Sequence, residues 1–170
     1  ESDVDMTLAA RVRYANAHRA DAFVSIHLNS TEKPGPVGHE TFFLALEGSD
    51  EAARRLATFE NQEGQGQVLA DAKPQGDAVA GILLDLAQNQ AHEDAQSLAA
   101  CIQKHLGQQS PFPNRGVLQA PFVVLMGAAM PAVVVESGFL NHPKEGHFVT
   151  SEEGQARIAV AVQEDHDGKP

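Results

Sequence analysis

Short apolar runs rich in β-branched residues constrain the fold of this chain more than any other feature. The clearest are AFVSIH at 22–27 and the valine-rich segment at 131–136, and turn-forming residues flank both of them. Runs of this length and composition are typical of buried strands. Similar runs near 38–46 and 119–126 predict two further strands.

Helical periodicity fills much of the sequence around these strands. Apolar residues recur every three to four positions at 3–18, at 78–106 and after Thr150, which predicts helices there. Ser49 and Asp50 open a further helix, rich in Ala and Arg, that runs to about residue 60. Asp3 or Asp5 is the expected N-cap of the first helix, and Gly107 the expected end of the long one. Strands that alternate with helices predict an α/β fold, with a mixed, mostly parallel sheet and helices on both faces.

Charge and hydropathy exclude two classes of partner. The chain has 12 basic and 23 acidic residues and a formal net charge of -11, whereas a nucleic-acid-binding protein needs a basic face. No apolar run reaches the roughly 18 residues that a membrane-spanning helix requires. We therefore expect no nucleic-acid partner and no membrane span.

The length of the chain fits one domain, which we expect over 1–163, followed by a disordered tail at 164–170.

Two residues stand out by their position at predicted strand ends. His27 follows one apolar run, and Glu136 follows another. Functional crevices form at the carboxyl ends of strands in open α/β sheets, so a histidine and a carboxylate there can share one site. Zinc hydrolases use both groups, an imidazole as metal ligand and a carboxylate as proton acceptor. The alternative is that His27 is a buried structural histidine and that Glu136 caps the next segment.

Two longer motifs carry a family resemblance. In RVRYANAHRADAFVSIHLNS, at 11–30, an arginine-bearing helix and an Ala-Asn-Ala stretch lead into Ser-Ile-His-x-Asn. In NRGVLQAPFVVLMGAAMPAVVVESGFLNHPKE, at 114–145, Arg-Gly-Val precedes Met-Pro, an apolar triplet, Glu, Gly-Phe and Asn-x-Pro-x-Glu. This order resembles the zinc-dependent N-acetylmuramoyl-L-alanine amidases, notably the Gram-negative cell-division enzymes, over about residues 1–163.

The resemblance implies a function and a role for each motif residue. His27 would be a ligand of Zn²⁺, and Glu136 would be the catalytic carboxylate that takes a proton from water and passes it to the leaving amine. The bond cut would be the amide between N-acetylmuramic acid and L-alanine in peptidoglycan. Arg115 would meet a substrate carboxylate or serve a structural role in its loop. A wall hydrolase works in the periplasm or outside the cell.

The resemblance is incomplete at the metal site. The family supplies another zinc-binding histidine, in a Gly-His-Gly turn, and then a glutamate, and this sequence contains neither motif. The expectation is a catalytic domain without its N-terminal strands, unless His39, His142 or His147 completes the zinc shell. A non-catalytic pseudo-amidase that binds or regulates peptidoglycan is the main alternative, and a zinc peptidase of similar architecture is another.

The segment at about 47–93 resembles a regulatory insertion. In the cell-division amidases a helical insertion near this point covers the site until an activator protein moves it, and GSDEAARRLATFENQEGQGQ at 48–67 is similar to it. The hypothesis is that Glu60 or Glu63 reaches the zinc and blocks the position of the water. The alternative is a solvated helix without a regulatory role.

Overall fold

The chain folds into an α/β structure, as the alternation of its elements predicts. The computed structural model describes residues 5–31, 35–64 and 78–163, with the backbone alone at 63–64 and 78–88. In these ranges the helices are α1 (Leu8–Ala17), α2 (Glu51–Glu60), α3 (Ala78–Gln109), α4 (Pro143–Thr150) and α5 (Glu152–Gln163). The strands are β1 (Phe23–Asn29), β2 (His39–Leu44), β3 (Asn114–Ala120) and β4 (Ala132–Phe139). None of the described helices combines the length and hydropathy needed to cross a bilayer.

The four strands form one mixed, mostly parallel sheet, in the order β1-β4-β2-β3. β1 and β4 run in the same direction, because the hydrogen bonds at their two ends follow the same chain order. Phe23 N donates to Pro131 O at 2.8 Å, and Leu140 N donates to Asn29 O at 2.8 Å. This pairing fixes which residues of the two strands lie side by side.

Burial differs sharply between the inner and outer strands. Every residue of β4 is buried, and in β2 only Leu44 is not. Both faces of these inner strands are therefore covered, as expected for an α/β sheet. The prediction that β1 is a buried strand is wrong, because β1 lies at one end of the strand order and Ile26 and Leu28 are 53% and 39% exposed.

The chain divides into two compact units. The first contains residues 1–23, 43–95 and 119–132, and the second contains residues 24–42, 96–118 and 133–170. In the first unit the Asn16 amide joins α1 to the loop before β4. Its Nδ2 donates to Gly127 O at 2.9 Å, and its Oδ1 accepts from Ala129 N at 3.0 Å. Asn16 belongs to the Ala-Asn-Ala stretch of the first motif, which therefore has a structural role.

A buried polar network centred on Gln103 joins α3 to the sheet in the second unit. Gln103 Nε2 lies 3.1 Å from His39 Nδ1, 2.8 Å from His39 O and 2.7 Å from Asn114 Oδ1. Its Oε1 accepts a hydrogen bond of 2.8 Å from the Thr41 hydroxyl. Gln103 is only 3% exposed, so these groups satisfy one another where water does not reach them.

The third strand differs from its prediction. The apolar run near 119–126 predicted a strand, but β3 occupies Asn114–Ala120, and Val123–Leu125 forms a 3₁₀ turn. Pro121 explains the end of the strand, since it has no N–H to donate to a ladder. An unbroken apolar run does not show this, because a buried 3₁₀ turn has the same composition as a strand.

Two helix ends also differ from the sequence predictions. α3 passes through Gly107 and ends at Gln109, so this glycine is not a cap. Thr7 rather than Asp5 caps α1, through a hydrogen bond of 3.3 Å from Ala10 N to its hydroxyl. Asp3 and the predicted tail at 164–170 lie outside the described residues.

Candidate metal centre

His27 and Glu136 lie side by side on the neighbouring strands β1 and β4. A ring nitrogen of His27 and a carboxylate oxygen of Glu136 are within 4.8 Å of each other. Neither residue ends its strand, since β1 continues to Asn29 and β4 to Phe139. The sequence thus predicted the two strands correctly and their last residues two or three positions too early.

The three valines before Glu136 explain its position. Val133, Val134 and Val135 are all 0% exposed, and they anchor β4 in the middle of the covered sheet. Glu136 itself is 1% exposed, with both carboxylate oxygens out of contact with solvent. Burying an ionised carboxylate is costly unless a cation or hydrogen-bond donors face it. A positive charge beside it, from a metal ion or a protonated imidazole, would offset this cost.

Ser25 is the close neighbour of the His27 ring. The two residues are two positions apart in β1, so their side chains project from the same face of the strand. Ser25 Oγ lies 2.9 Å from His27 Nε2, and Ser25 is 8% exposed. Nε2, one of the two nitrogens that this histidine can offer to a ligand, is therefore within hydrogen-bond distance of the Ser25 hydroxyl.

The donor types of the pair fit zinc. Zinc sites in proteins use imidazole nitrogen and carboxylate oxygen, and a catalytic zinc has three protein ligands. His27 would offer one imidazole to such a shell, and the Glu136 carboxylate, within 4.8 Å of it, would serve as the proton acceptor beside the metal. A complete catalytic shell then needs two protein ligands besides His27.

The structure does not favour His39, His142 or His147 as one of these further ligands. In the described part of the chain none of the three belongs to a group of three metal-ligating side chains. His39 is 0% exposed, and its Nδ1 lies 3.1 Å from Gln103 Nε2, so that nitrogen already has a partner in the core. His142 caps α4, with Nδ1 accepting from Glu145 N at 3.3 Å, and His147 is exposed on the same helix.

Arg115 is held in an ion pair within the second unit. Its Nε lies 2.7 Å from an oxygen of the buried Glu40, and its guanidinium lies 5.5 Å from the centre of the Phe139 ring. These contacts employ both the charge and the flat face of the side chain. They favour the structural role for Arg115 over the contact with a substrate carboxylate.

Glu145 is a structural carboxylate whose role was not predicted. Its Oε1 and Oε2 accept the backbone N–H of Gly38 at 2.9 and 3.2 Å, and the residue is 0% exposed. Burial raises the pKa of this carboxyl, and hydrogen bonds from Phe139 and Gly38 partly oppose the shift. Gly38 has φ +114°, and a β-carbon there would lie 2.2 Å from Pro113 O. The Glu of the Asn-x-Pro-x-Glu motif therefore clamps the turn that leads into β2.

The acidic residues of the predicted insertion lie at the end of α2. The helix predicted over 49–60 is confirmed, with Asp50 Oδ1 accepting from Ala53 N at 2.8 Å as its cap. Glu60 is its last residue and is half-buried. Glu63 lies in the 3₁₀ turn Asn61–Gly64, and its side chain is outside the described residues.

An α/β domain that presents an imidazole and a buried carboxylate on adjacent strands has the donor types of a metal-dependent hydrolase. The family model described as N-acetylmuramoyl-L-alanine amidase (Amidase_3) matches residues 1–164, and the chain belongs to that family. The motifs that carry the resemblance in the sequence contain both His27 and Glu136.

Similar curated proteins are longer than this chain. It is 30% identical over 162 residues to the amidase AmiC of Neisseria meningitidis serogroup B, covering 94% of this chain and 38% of the relative. It is 30% identical over 165 residues to AmiA of Escherichia coli K12, covering 95% and 56%. The chain thus spans about half, or less, of the length of these relatives.

Solved amidase structures share the fold. The crystal structure of an N-acetylmuramoyl-L-alanine amidase from Clostridium difficile 630 superposes with a TM-score of 0.63 and 23% identity, covering 98% of this chain and 70% of that one. The catalytic domain of CwlV from Bacillus (Paenibacillus) polymyxa gives 0.63 and 22%, covering 99% and 70%. This likeness confirms the predicted α/β class.

Proposed function

We propose that the full-length protein is a zinc-dependent amidase that cleaves the bond between N-acetylmuramic acid and L-alanine in peptidoglycan. The observation that carries the proposal is the approach of His27 to the buried carboxylate of Glu136, within 4.8 Å. Membership of the amidase family supports the substrate class. Since the substrate is cell wall, the proposed location is the periplasm or the cell exterior.

Each residue of the pair has a distinct task in the proposed reaction. His27 would hold the metal through a ring nitrogen, together with ligands beyond this pair. When bound, zinc polarises a scissile carbonyl and makes water more acidic. Glu136 would accept a proton from the attacking water and deliver it to the nitrogen of L-alanine as the C–N bond breaks. Its fixed, buried position keeps bulk water from competing for this proton.

The test is a product assay on the full-length protein. A purified muramoyl peptide should yield a new peptide with a free L-alanine amine, and the same stem peptide without its sugar should remain intact. A chelator should abolish the release, and added zinc should restore it. Cleavage inside the sugar-free peptide would indicate the zinc peptidase instead.

The alternative of a non-catalytic wall-binding or regulatory domain has one observation in its favour. The pair of His27 and Glu136 supplies fewer ligands than a catalytic zinc needs. In that case the full-length protein would bind sedimented peptidoglycan but release no new amine, with or without added zinc.

We propose further that Glu60 restrains the site, as the likeness of 47–93 to a regulatory insertion suggests. Glu60 is the last residue of α2, and this end of the helix is held in place within the first unit. Asn61 follows it directly, with Nδ2 donating to Pro121 O at 2.8 Å and Oδ1 accepting from Val123 N at 2.7 Å. The CwlD amidase of Clostridioides difficile, 25% identical with a TM-score of 0.56, was solved in complex with the GerS lipoprotein. A protein partner that binds this protein and moves the insertion would act as its activator.

A Glu60→Gln variant of the full-length protein is expected to hydrolyse peptidoglycan several-fold faster than the parent in the absence of any partner. The change removes the carboxylate charge that would compete for the metal but keeps the shape of the side chain. The matched control is Glu51→Gln on the same helix, where the exposed carboxylate pairs with Arg54 and Arg55. Equal rates for the parent and Glu60→Gln would refute the restraint.

A further inference from the structure

The Ser25 hydroxyl occupies the approach to one nitrogen of the His27 ring. Its Oγ lies 2.9 Å from Nε2, whereas a zinc ion on that nitrogen would have to sit at about 2.0–2.1 Å from it. The hydroxyl and the metal would then compete for the same direction from the ring. Ser25 as a whole is only 8% exposed, so this contact lies largely out of reach of solvent.

In a neutral imidazole, the contact with Ser25 decides which of the two ring nitrogens of His27 can bind a metal. One ring nitrogen carries the proton and the other carries the lone pair that can bind a metal. If Nε2–H donates to Ser25, the lone pair is on Nδ1. If instead the hydroxyl donates to Nε2, the proton is on Nδ1, and no nitrogen is open to the metal. Only the first arrangement is compatible with metal binding.

We propose that Ser25 is a positioning residue whose hydroxyl oxygen accepts a hydrogen bond from Nε2–H of His27. This hydrogen bond keeps the proton on Nε2 and thereby makes Nδ1 the metal-binding nitrogen. The inference rests on the proposed zinc function and adds a residue to it. A hydrogen bond to the second nitrogen of a metal-binding histidine fixes both its tautomer and its ring orientation. Because both side chains project from one short stretch of β1, the strand itself sets their distance.

The first test measures zinc affinity by competition with a chelator, on the full-length protein. Ser25→Ala is expected to weaken zinc binding by about 10–100-fold, the usual loss when such a partner is removed. Ser25→Thr keeps the hydroxyl and should recover most of the affinity. The control is Ser137→Ala, which removes another buried serine hydroxyl, 1% exposed, from the neighbouring strand and should leave the affinity unchanged.

The second test reads the tautomer directly by NMR of the zinc-loaded protein with ¹⁵N-labelled histidine. Nε2 of His27 should carry the proton and Nδ1 should show the shift of a metal-bound nitrogen. Zinc on Nε2, or wild-type affinity in Ser25→Ala, would overturn the role of Ser25 but leave the zinc amidase intact. A full-length protein that binds no zinc at all would overturn both proposals.

Discussion

Replacing Glu136 with glutamine in the full-length protein is expected to slow amide hydrolysis by about 10²–10⁴-fold, the usual contribution of a general base. Glutamine keeps the size of the side chain and its place at the end of the valine run, but it cannot take a proton from water. Glu136 is only 1% exposed, so water from the bulk solvent cannot take over its role as the base. The rate of release of free L-alanine amine from a muramoyl peptide measures the effect.

A second buried carboxylate provides the control for this variant. Glu145 is 0% exposed in the same unit, and its oxygens bind the Gly38 backbone rather than facing a metal ligand. Glu145→Gln retains one acceptor oxygen for that N–H and should keep most of the activity. Turnover of Glu136→Gln within a few-fold of the parent would remove Glu136 from the chemistry and favour another proton acceptor.

A Gln103→Leu substitution is expected to lower the free energy of unfolding by about 3 kcal/mol. Leucine has nearly the same volume but leaves His39 Nδ1 and the Thr41 hydroxyl without their partner in the core. Each buried polar group left unsatisfied costs about 1–3 kcal/mol. Against a typical total of about 5–15 kcal/mol, this is a large fraction of the stability.

Urea denaturation of the parent and the variant measures this loss. The control is Gln90→Leu, the same change on the same helix, where the exposed Gln90 donates to Asp94 Oδ1 at 2.9 Å. That variant should stay within about 0.5 kcal/mol of the parent. Adding Thr41→Val to Gln103→Leu should recover part of the loss, since the stranded hydroxyl is then gone as well. An unchanged midpoint for Gln103→Leu would show that the network is not a source of stability.

The apolar patterns predicted the elements of the site well. Alternation of strands and helices gave the α/β class, and the runs before His27 and Glu136 placed both residues late in strands. Parallel strands carry such residues to the same edge of a sheet, but neither local pattern contains the pairing of β1 with β4 that brings these two residues side by side. The cap at Asp50 was also predictable, because an N-cap is a short-range interaction.

Long-range polar contacts account for what the sequence did not show. Gln103 meets His39 across 64 positions, and Glu145 meets Gly38 across 107 positions, so no local period contains either contact. The same limit applies to Arg115, whose partner Glu40 is 75 positions away. A charged residue beside a motif looks identical in sequence whether it faces a substrate or a buried carboxylate.

The place of β1 in the strand order links metal binding to strand pairing. In the described sheet β1 is an outer strand, with Ile26 and Leu28 exposed, and it also bears His27. Outer strands readily accept a further strand along their free edge. A strand added there and a metal held by His27 would act on one short stretch of backbone. By thermodynamic reciprocity, each would change the affinity of the other by the same factor.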